Sequence, residues 1–275
     1  MKLTVHGSRG SLTSAGPGTV GYGGNTACVL VEADDAVVVL DAGSGARAAG
    51  AAVQIDVPEV HVLLTHLHMD HIQGLGFFAP LFDERRIVHI WGPPSATESL
   101  RTRLTRYLSP PLFPVRIRDL GARVELHDAP ADPWRIGDLQ VRAAQTIHPG
   151  PTLGYRLASS SGASVAYLPD HEPFLGGMDA GPAWISGHDL ASGVDVLIHD
   201  AQYTSDEYDA RIGWGHSSVG HAVAFADLAA ASLLTLFHHD PTHDDEVIDR
   251  LASDAAAARR VGDALGAREG MVLEL

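Results

Sequence analysis

Short apolar runs, many of them β-branched, recur along the chain: Leu3 to Val5, Ala27 to Val31, Ala36 to Leu40, Val60 to Leu64, Ile87 to Trp91, Leu139 to Ala143, Gly154 to Leu157, Ser164 to Leu168, Val194 to Ile198 and Leu233 to Phe237. Their lengths, and the Gly, Pro and Asp at their borders, predict buried strands rather than helices. SSSG at 159–162 predicts a hairpin turn across Gly154 to Leu168. Helical periodicity is predicted over Ser95 to Tyr107, where Ser95 and Glu98 have capping-box spacing, and over the alanine-rich stretches Ser217 to Ala230 and Asp244 to Arg260. Pro110 to Pro114 and Ala129 to Pro133 interrupt the pattern, but neither is long or polar enough for a free linker. Strand-rich, helix-ended segments in both halves predict an α/β protein of two stacked mixed sheets with helices outside.

Composition narrows the class. With 275 residues, 45% of them hydrophobic, the chain can bury a substantial core, and a single domain over 1–275 is expected. A formal net charge of −15 argues against a long polyanion, so no long nucleic acid is expected as partner and a small molecule is preferred. The opening MKLTVHGSRGS alternates apolar and polar residues and reads as a strand rather than a secretory signal. No segment is apolar enough to span a bilayer, and Cys28, within ACVLV, reads as a small core residue. A cytoplasmic protein without disulfides or membrane contact is the expectation.

The chemistry concentrates in THLHMDHIQG, Thr65 to Gly74, directly after the run Val60 to Leu64. In extended backbone His66 and His68 point the same way and can reach one ion, while Asp70 and His71, entering a helix, are presented to a neighbouring position. Two adjacent metals follow. A structural zinc usually draws on thiolates and closes four ligands, whereas here imidazole and carboxylate mix and no Cys pair exists.

HLHMDH resembles the His-x-His-x-Asp-His signature of the metallo-β-lactamase fold superfamily. GSRGS at 7–11, GGNTACVLV at 23–31 and LDAGSG at 40–45 extend the likeness over nearly the whole chain. GHSS at 215–218 and LFHHDP at 236–241 are similar to its ribonuclease Z-like and cyclic phosphodiesterase-like branch. The resemblance implies a four-layer αββα fold and further ligands: His148 in QTIHPG, Asp170 in AYLPDHE as a bridging carboxylate, and His238 rather than His239, from its spacing to Pro241. One ion would then take His66, His68, His148 and Asp170, and the other Asp70, His71, Asp170 and His238. His171, beside Asp170, is either a pocket residue or a surface one, and the surface is the preferred reading. Asp41 resembles the aspartate that orients a metal-bound imidazole. His216 and Asp200 look like the pair that assists proton movement, with Asp where the family usually has Glu.

The implied function is that of a dinuclear metal-dependent hydrolase in which hydroxide held between divalent ions about 3.5–4 Å apart attacks a phosphodiester. Asp70, His216 and Asp200 are the candidate catalytic groups, with His216 as proton donor to the leaving oxygen. His and carboxylate ligands admit Zn²⁺ first, with Mn²⁺ or Fe as alternatives. Five arginines at 101, 103, 106, 116 and 118 stand out in an acidic chain, and one or two of them, with Tyr107 or Phe113, could line the pocket mouth. With no long basic insertion to grip tRNA, a small, possibly cyclic, phosphodiester is favoured. The alternatives are a lactone, thioester or other acyl bond, tRNA 3′ processing, or a non-catalytic metal-stabilised binder. Similar proteins are often dimers, so a homodimer is compatible with the resemblance.

Overall fold

The computed structural model describes residues 1–175 and 181–275. Six strands run in chain order through the first half: β1 (Lys2–Gly7), β2 (Cys28–Ala33), β3 (Ala36–Leu40), β4 (Glu59–Leu63), β5 (Ile87–Gly92) and β6 (Arg123–Asp128). Seven follow in the second: β7 (Trp134–Ile136), β8 (Leu139–Gln145), β9 (Leu153–Ala158), β10 (Ser164–Leu168), β11 (Val196–Asp200), β12 (Leu233–Phe237) and β13 (Asp263–Gly266). The last strand, β14 (Val272–Glu274), returns to the first sheet, and among the described residues each sheet has seven strands, ordered β14-β1-β2-β3-β4-β5-β6 and β13-β12-β11-β10-β9-β8-β7.

The two sheets share one plan. In each, three antiparallel pairings, through β3 in the first and β10 in the second, give way to three parallel ones. The chain passes between sheets at Ala129 to Pro133, the second of the expected breaks, where prolines withhold the donors a strand would need.

Period-two alternation builds the layers. Val29, Val31, Val38, Leu40 and Leu63 point inward against Val141, Tyr155, Leu157, Val165, Tyr167 and Phe237 of the second sheet. The alternate residues Leu30, Val39, Val62 and Ile90 meet helices α1 (Ala46–Ala52) and α3 (Leu100–Thr105) on one outer face. Ala166, Leu197, Leu234 and Leu236 meet α6 (Val219–Leu228) and α7 (Asp245–Ala258) on the other, which completes the expected αββα layering. Because central strands are covered on both sides, they read as continuous apolar runs.

The short helices α2 (Met69–Ile72), α4 (His188–Ala191) and α5 (Ser205–Asp209) lie in connections. The helix expected over Ser95 to Tyr107 is shorter than its pattern. Ser95 Oγ accepts from the backbone N–H of Thr97 and Glu98 in a local turn, and Ser99, accepting from Thr102 N–H at 3.2 Å, is the true cap. No helix among the described residues is long and apolar enough to cross a membrane.

His199 lies fully buried on β11, with His171 Nδ1 at 3.0 Å from its Nε2 and its own Nδ1 donating to the Asp200 carbonyl at 2.7 Å. Burial pushes its imidazolium down to about 4, so the folded state holds it neutral while the unfolded chain takes up a proton below about 6.5. Its contribution is therefore present above about pH 6.5 and lost as pH falls towards 4. In chelator-containing buffer, urea unfolding midpoints should fall across that window, and His199→Leu should flatten the dependence by up to about 1.4 kcal/mol per pH unit. An equally steep profile in the variant would contradict this.

Candidate metal centre

Every predicted site residue except His216, which lies between α5 and α6, stands at or just beyond the carboxyl end of a strand, the edge where open α/β sheets gather their ligands. Asp41 follows β3, residues 66–71 follow β4, His148 follows β8, Asp170 follows β10, Asp200 ends β11 and His238 follows β12. Two of these turns are strained. Asp41 (φ 55°) and His238 (φ 59°) occupy the left-handed region, a cost of roughly 1–3 kcal/mol that the surrounding structure has to offset.

The turns converge on two adjacent groups, His66 with His68 and His148, and Asp70 with His71, Asp170 and His238. Asp170 spans them. Its Oδ2 lies 3.7 Å from both His66 Nε2 and His148 Nε2, while its Oδ1 lies 3.0 Å from His71 Nε2 and 3.3 Å from His238 Nε2. His68 Nδ1 is 3.2 Å from His148 Nε2, and Asp70 Oδ2 is 3.3 Å from His71 Nε2 and 3.2 Å from His238 Nε2. All seven predicted ligands are thus brought together. His238 rather than His239 faces the group, because His239 turns its Nε2 to the Ala267 carbonyl at 2.9 Å.

In four of the five ligand histidines, His66, His71, His148 and His238, the opposite nitrogen has a fixed partner, which sets the tautomer and aims the ring. His71 Nδ1 meets Asp41 Oδ2 at 2.7 Å, as expected, and Asp41 also accepts from Thr65 N–H at 2.7 Å and Tyr167 Oη at 3.1 Å. Sequence reasoning missed the others. Thr65 Oγ1 lies 3.0 Å from His66 Nδ1, the Gly215 carbonyl 2.9 Å from His148 Nδ1, and Gln202 Oε1 3.1 Å from His238 Nδ1. Ser11 N–H donates to Asp70 Oδ2 at 2.8 Å. Gly10 and Gly215 press against the rings of His238 and His148 so closely that a Cβ at either would collide with them. The motifs GSRGS and GHSS therefore had a steric signal in their glycines.

His216 Nδ1 meets Asp200 Oδ2 at 2.7 Å, so the shorter Asp makes the expected pairing. The His216 ring stacks on His238 at 4.9 Å and abuts His148 at 5.0 Å. Burial alone would lower its pKa, but the Asp200 carboxylate outweighs that and raises it to about 9. The surface placement expected for His171 is wrong: the ring is fully buried between His199 and Phe225, because the turn after Asp170 runs inward.

The groups present fit divalent metal ions. His66 Nε2 is buried with no hydrogen-bond partner, at a cost of roughly 1–3 kcal/mol unless something else coordinates it, and His71 Nε2 and Asp170 Oδ1 are buried with contacts only to other atoms of the cluster. Burial lowers the pKa of His66, His68 and His148, favouring the neutral, ligating imidazole. Burial would raise Asp170, but His238, His71 and His66 hold it well below the usual carboxylate range. His71 is the exception: burial would lower it, yet Asp170, Asp70 and Asp41 raise it, so ion binding there displaces a proton.

A cleft of about 420 Å³ opens beside His66 and His68, and Arg103, Arg106, Tyr107 and Pro149 contribute to its walls. Of the arginine-rich segment, those two arginines, Tyr107 and Leu112 reach it. Arg106 pairs with both oxygens of Glu98 at 2.7 and 2.8 Å, and Arg103 donates to the Pro93 carbonyl at 2.6 Å.

Residues 37–239 match the family described as beta-lactamase superfamily domain. A ribonuclease Z from Mycobacterium sp. (strain KMS) is 29% identical over 239 residues, covering 77% of each chain. The human tRNase Z short form superposes with a TM-score of 0.69 at 21% identity, covering 100% of this chain and 99% of that one. A diphosphatase of the PhnP family gives 0.68 at 21% identity, covering 100% and 97%. These likenesses overturn the expectation of no long nucleic acid partner, since relatives include enzymes named for RNA and tRNA. The net charge of −15 misled because it sums the whole surface and says nothing of the local charge around a cleft, where Arg103 and Arg106 stand.

The spanning position of Asp170 predicts an asymmetry. Asp70→Ala should remove one ion per chain by elemental analysis and leave the group of His66, His68 and His148 loaded, whereas Asp170→Ala should deplete both. Equal depletion in the two variants would remove the bridging role from Asp170.

Proposed function

The chain belongs to the beta-lactamase superfamily, on its ribonuclease Z-like branch, and we propose that it is a dinuclear metal-dependent phosphodiester hydrolase, with zinc the first candidate metal. The observation that carries this reading is the Asp170 carboxylate, which offers one oxygen to each of two ligand groups. When bound, a pair of divalent ions supplies a water nucleophile of lowered pKa and positive charge opposite the phosphoryl oxygens.

The residues of the chain supply the rest. Asp70, His71 and His238 hold one side of the reacting centre, and His66, His68 and His148 the other. His216, tethered through Nδ1 to the Asp200 carboxylate, which favours its protonated form, keeps Nε2 for donation to the leaving oxygen. No Ser or Cys nucleophile is needed, and Cys28 is fully buried with its thiol pKa raised by burial. Arg103, Arg106 and Tyr107 flank the group attached to the phosphate.

A small phosphodiester is the first substrate class, supported by a cleft of about 420 Å³, which suits a ligand of roughly nucleotide size. Removal of a 3′ extension from tRNA is the second, supported by the ribonuclease Z relatives. Turnover of bis(p-nitrophenyl) phosphate, a cyclic nucleotide and a precursor tRNA, set beside a lactone and a thioester, tests both. Hydrolysis confined to the acyl substrates would overturn the phosphodiester assignment. His216→Ala should lower kcat by about 10²–10⁴-fold without changing metal content, as expected for loss of a general acid. A variant with full turnover would exclude His216 as the proton donor.

A further inference from the structure

A second histidine cluster lies on the sheet itself and shares no residue with the candidate centre. Parallel register places His61 of β4, His89 of β5 and Glu125 of β6 side by side, with Trp91 beside His127 two residues further on. Side chains two apart share a face, so His89, Trp91, Glu125 and His127 form one patch at the flank of the sandwich. It is partly open, with side-chain exposures of 15% for His89, 28% for Glu125 and 30% for His127.

Three donor atoms converge there. His89 Nδ1 lies 3.0 Å from His127 Nε2 and 3.4 Å from Glu125 Oε2, and His127 Nε2 lies 3.9 Å from the same oxygen. In a tetrahedral zinc site with Zn–N near 2.0–2.1 Å, neighbouring ligand atoms are about 3.3 Å apart, close to this spacing. A hydrogen bond between the two rings leaves the set incomplete. If His127 donates, the His89 Nδ1 lone pair faces the Glu125 carboxylate, and if His89 donates, its single N–H is divided between His127 and Glu125.

The surroundings hold these atoms in place. Arg123 pairs with the other oxygen, Oε1, at 2.5 Å, which leaves Oε2 turned to the histidines. The Trp91 indole N–H donates to His61 Nδ1 at 3.2 Å, and the His61 ring stacks on His89 at 4.6 Å and 9°. Trp91 covers His127 in turn, with centroids 4.2 Å apart, and leans on Trp134 at 5.4 Å. His61 is thus a support rather than a ligand, and the rings have little rotational freedom.

We propose that His89, Glu125 and His127 bind a divalent transition-metal ion of the zinc class, with the remaining coordination position open to solvent. Mixed imidazole and carboxylate donors suit zinc, and three protein ligands leave room for water or an exogenous ligand. Because β5 and β6 each contribute, the bound ion would clip the outer strand β6 to the sheet.

The test compares zinc content after saturation with Zn²⁺ and desalting. The wild type should carry one zinc per chain more than His89→Gln/His127→Gln, with phosphodiesterase turnover equal in both and equal thermal midpoints in EDTA. Glu125→Gln should weaken zinc at this site by at least about tenfold in a competitive dye titration, since even loss of a residue behind a ligand typically costs 10–100-fold. It carries the test alone if the double variant does not fold. Equal zinc contents, or an unaltered affinity in Glu125→Gln, would overturn the proposal. So would zinc lost only together with turnover, which would place the affected ion at the Asp170 centre.

Discussion

The Asp41 carboxylate is the constraint on which the remaining geometry depends. It is fully buried and accepts from Thr65 N–H, Thr65 Oγ1, His71 Nδ1 and Tyr167 Oη. A buried carboxylate is tolerable only when its lone pairs are matched, and here the matching donors come from both sheets. Thr65 opens the ligand-bearing turn after β4, and Tyr167 precedes the turn that carries Asp170. One negative charge therefore sets two otherwise independent loops against each other. Tyr155 Oη, donating to the Leu64 carbonyl at 2.7 Å, and Leu153 N–H, donating to the Thr65 carbonyl at 2.9 Å, add neutral ties across the same junction.

The shared plan of the two sheets explains how distant segments can meet. In each sheet the parallel half sends successive strand ends to one edge, and face-to-face stacking brings the two edges together. The ligands arise from loops spread over residues 66–238, but each is only a short step from a packed strand. Rigidity comes from the strands, and precision from the groups behind four of the five rings: Thr65, Gly215, Gln202 and Asp41.

Legibility in the sequence followed burial. Ala36–Leu40, Ser164–Leu168 and Leu233–Phe237 were readable to the residue because both faces are covered and the apolar run ends where the strand ends. β6, β7, β13 and β14 were not read as strands, since RVELHD and its like alternate on partly wet outer strands and carry little apolar signal. α1 escaped because ARAAGAA has small residues and no stripe. Among site residues, HLHMDH was legible through compact spacing, whereas His148, Asp170 and His238 needed a family likeness. Gln202 and Thr65 carried no signal, because their roles exist only once the turns are folded. His89, Glu125 and His127 went unnoticed for the same reason: they lie up to 38 positions apart, and only parallel register unites them.

Local charge also decides what the cleft can contribute. Arg106 is already engaged with Glu98, and Arg103 with the Pro93 carbonyl, so a phosphate arriving at either must exchange one partner for another. The exposed Arg106–Glu98 pair is worth roughly 0–1 kcal/mol, so the net gain from exchanging it is correspondingly small, and Arg103 is largely buried with its carbonyl partner. Strong binding of the ground-state phosphate by the arginines is therefore not what the cleft provides. On the proposed phosphodiester reading, its walls, including Leu67, Met69, Leu112 and Pro151, would sort the attached group by shape, and charge recognition at phosphorus would fall to ions held by the His and Asp cluster. Such a division keeps binding energy for the reacting centre rather than for the bound substrate, which is the condition for binding to increase turnover.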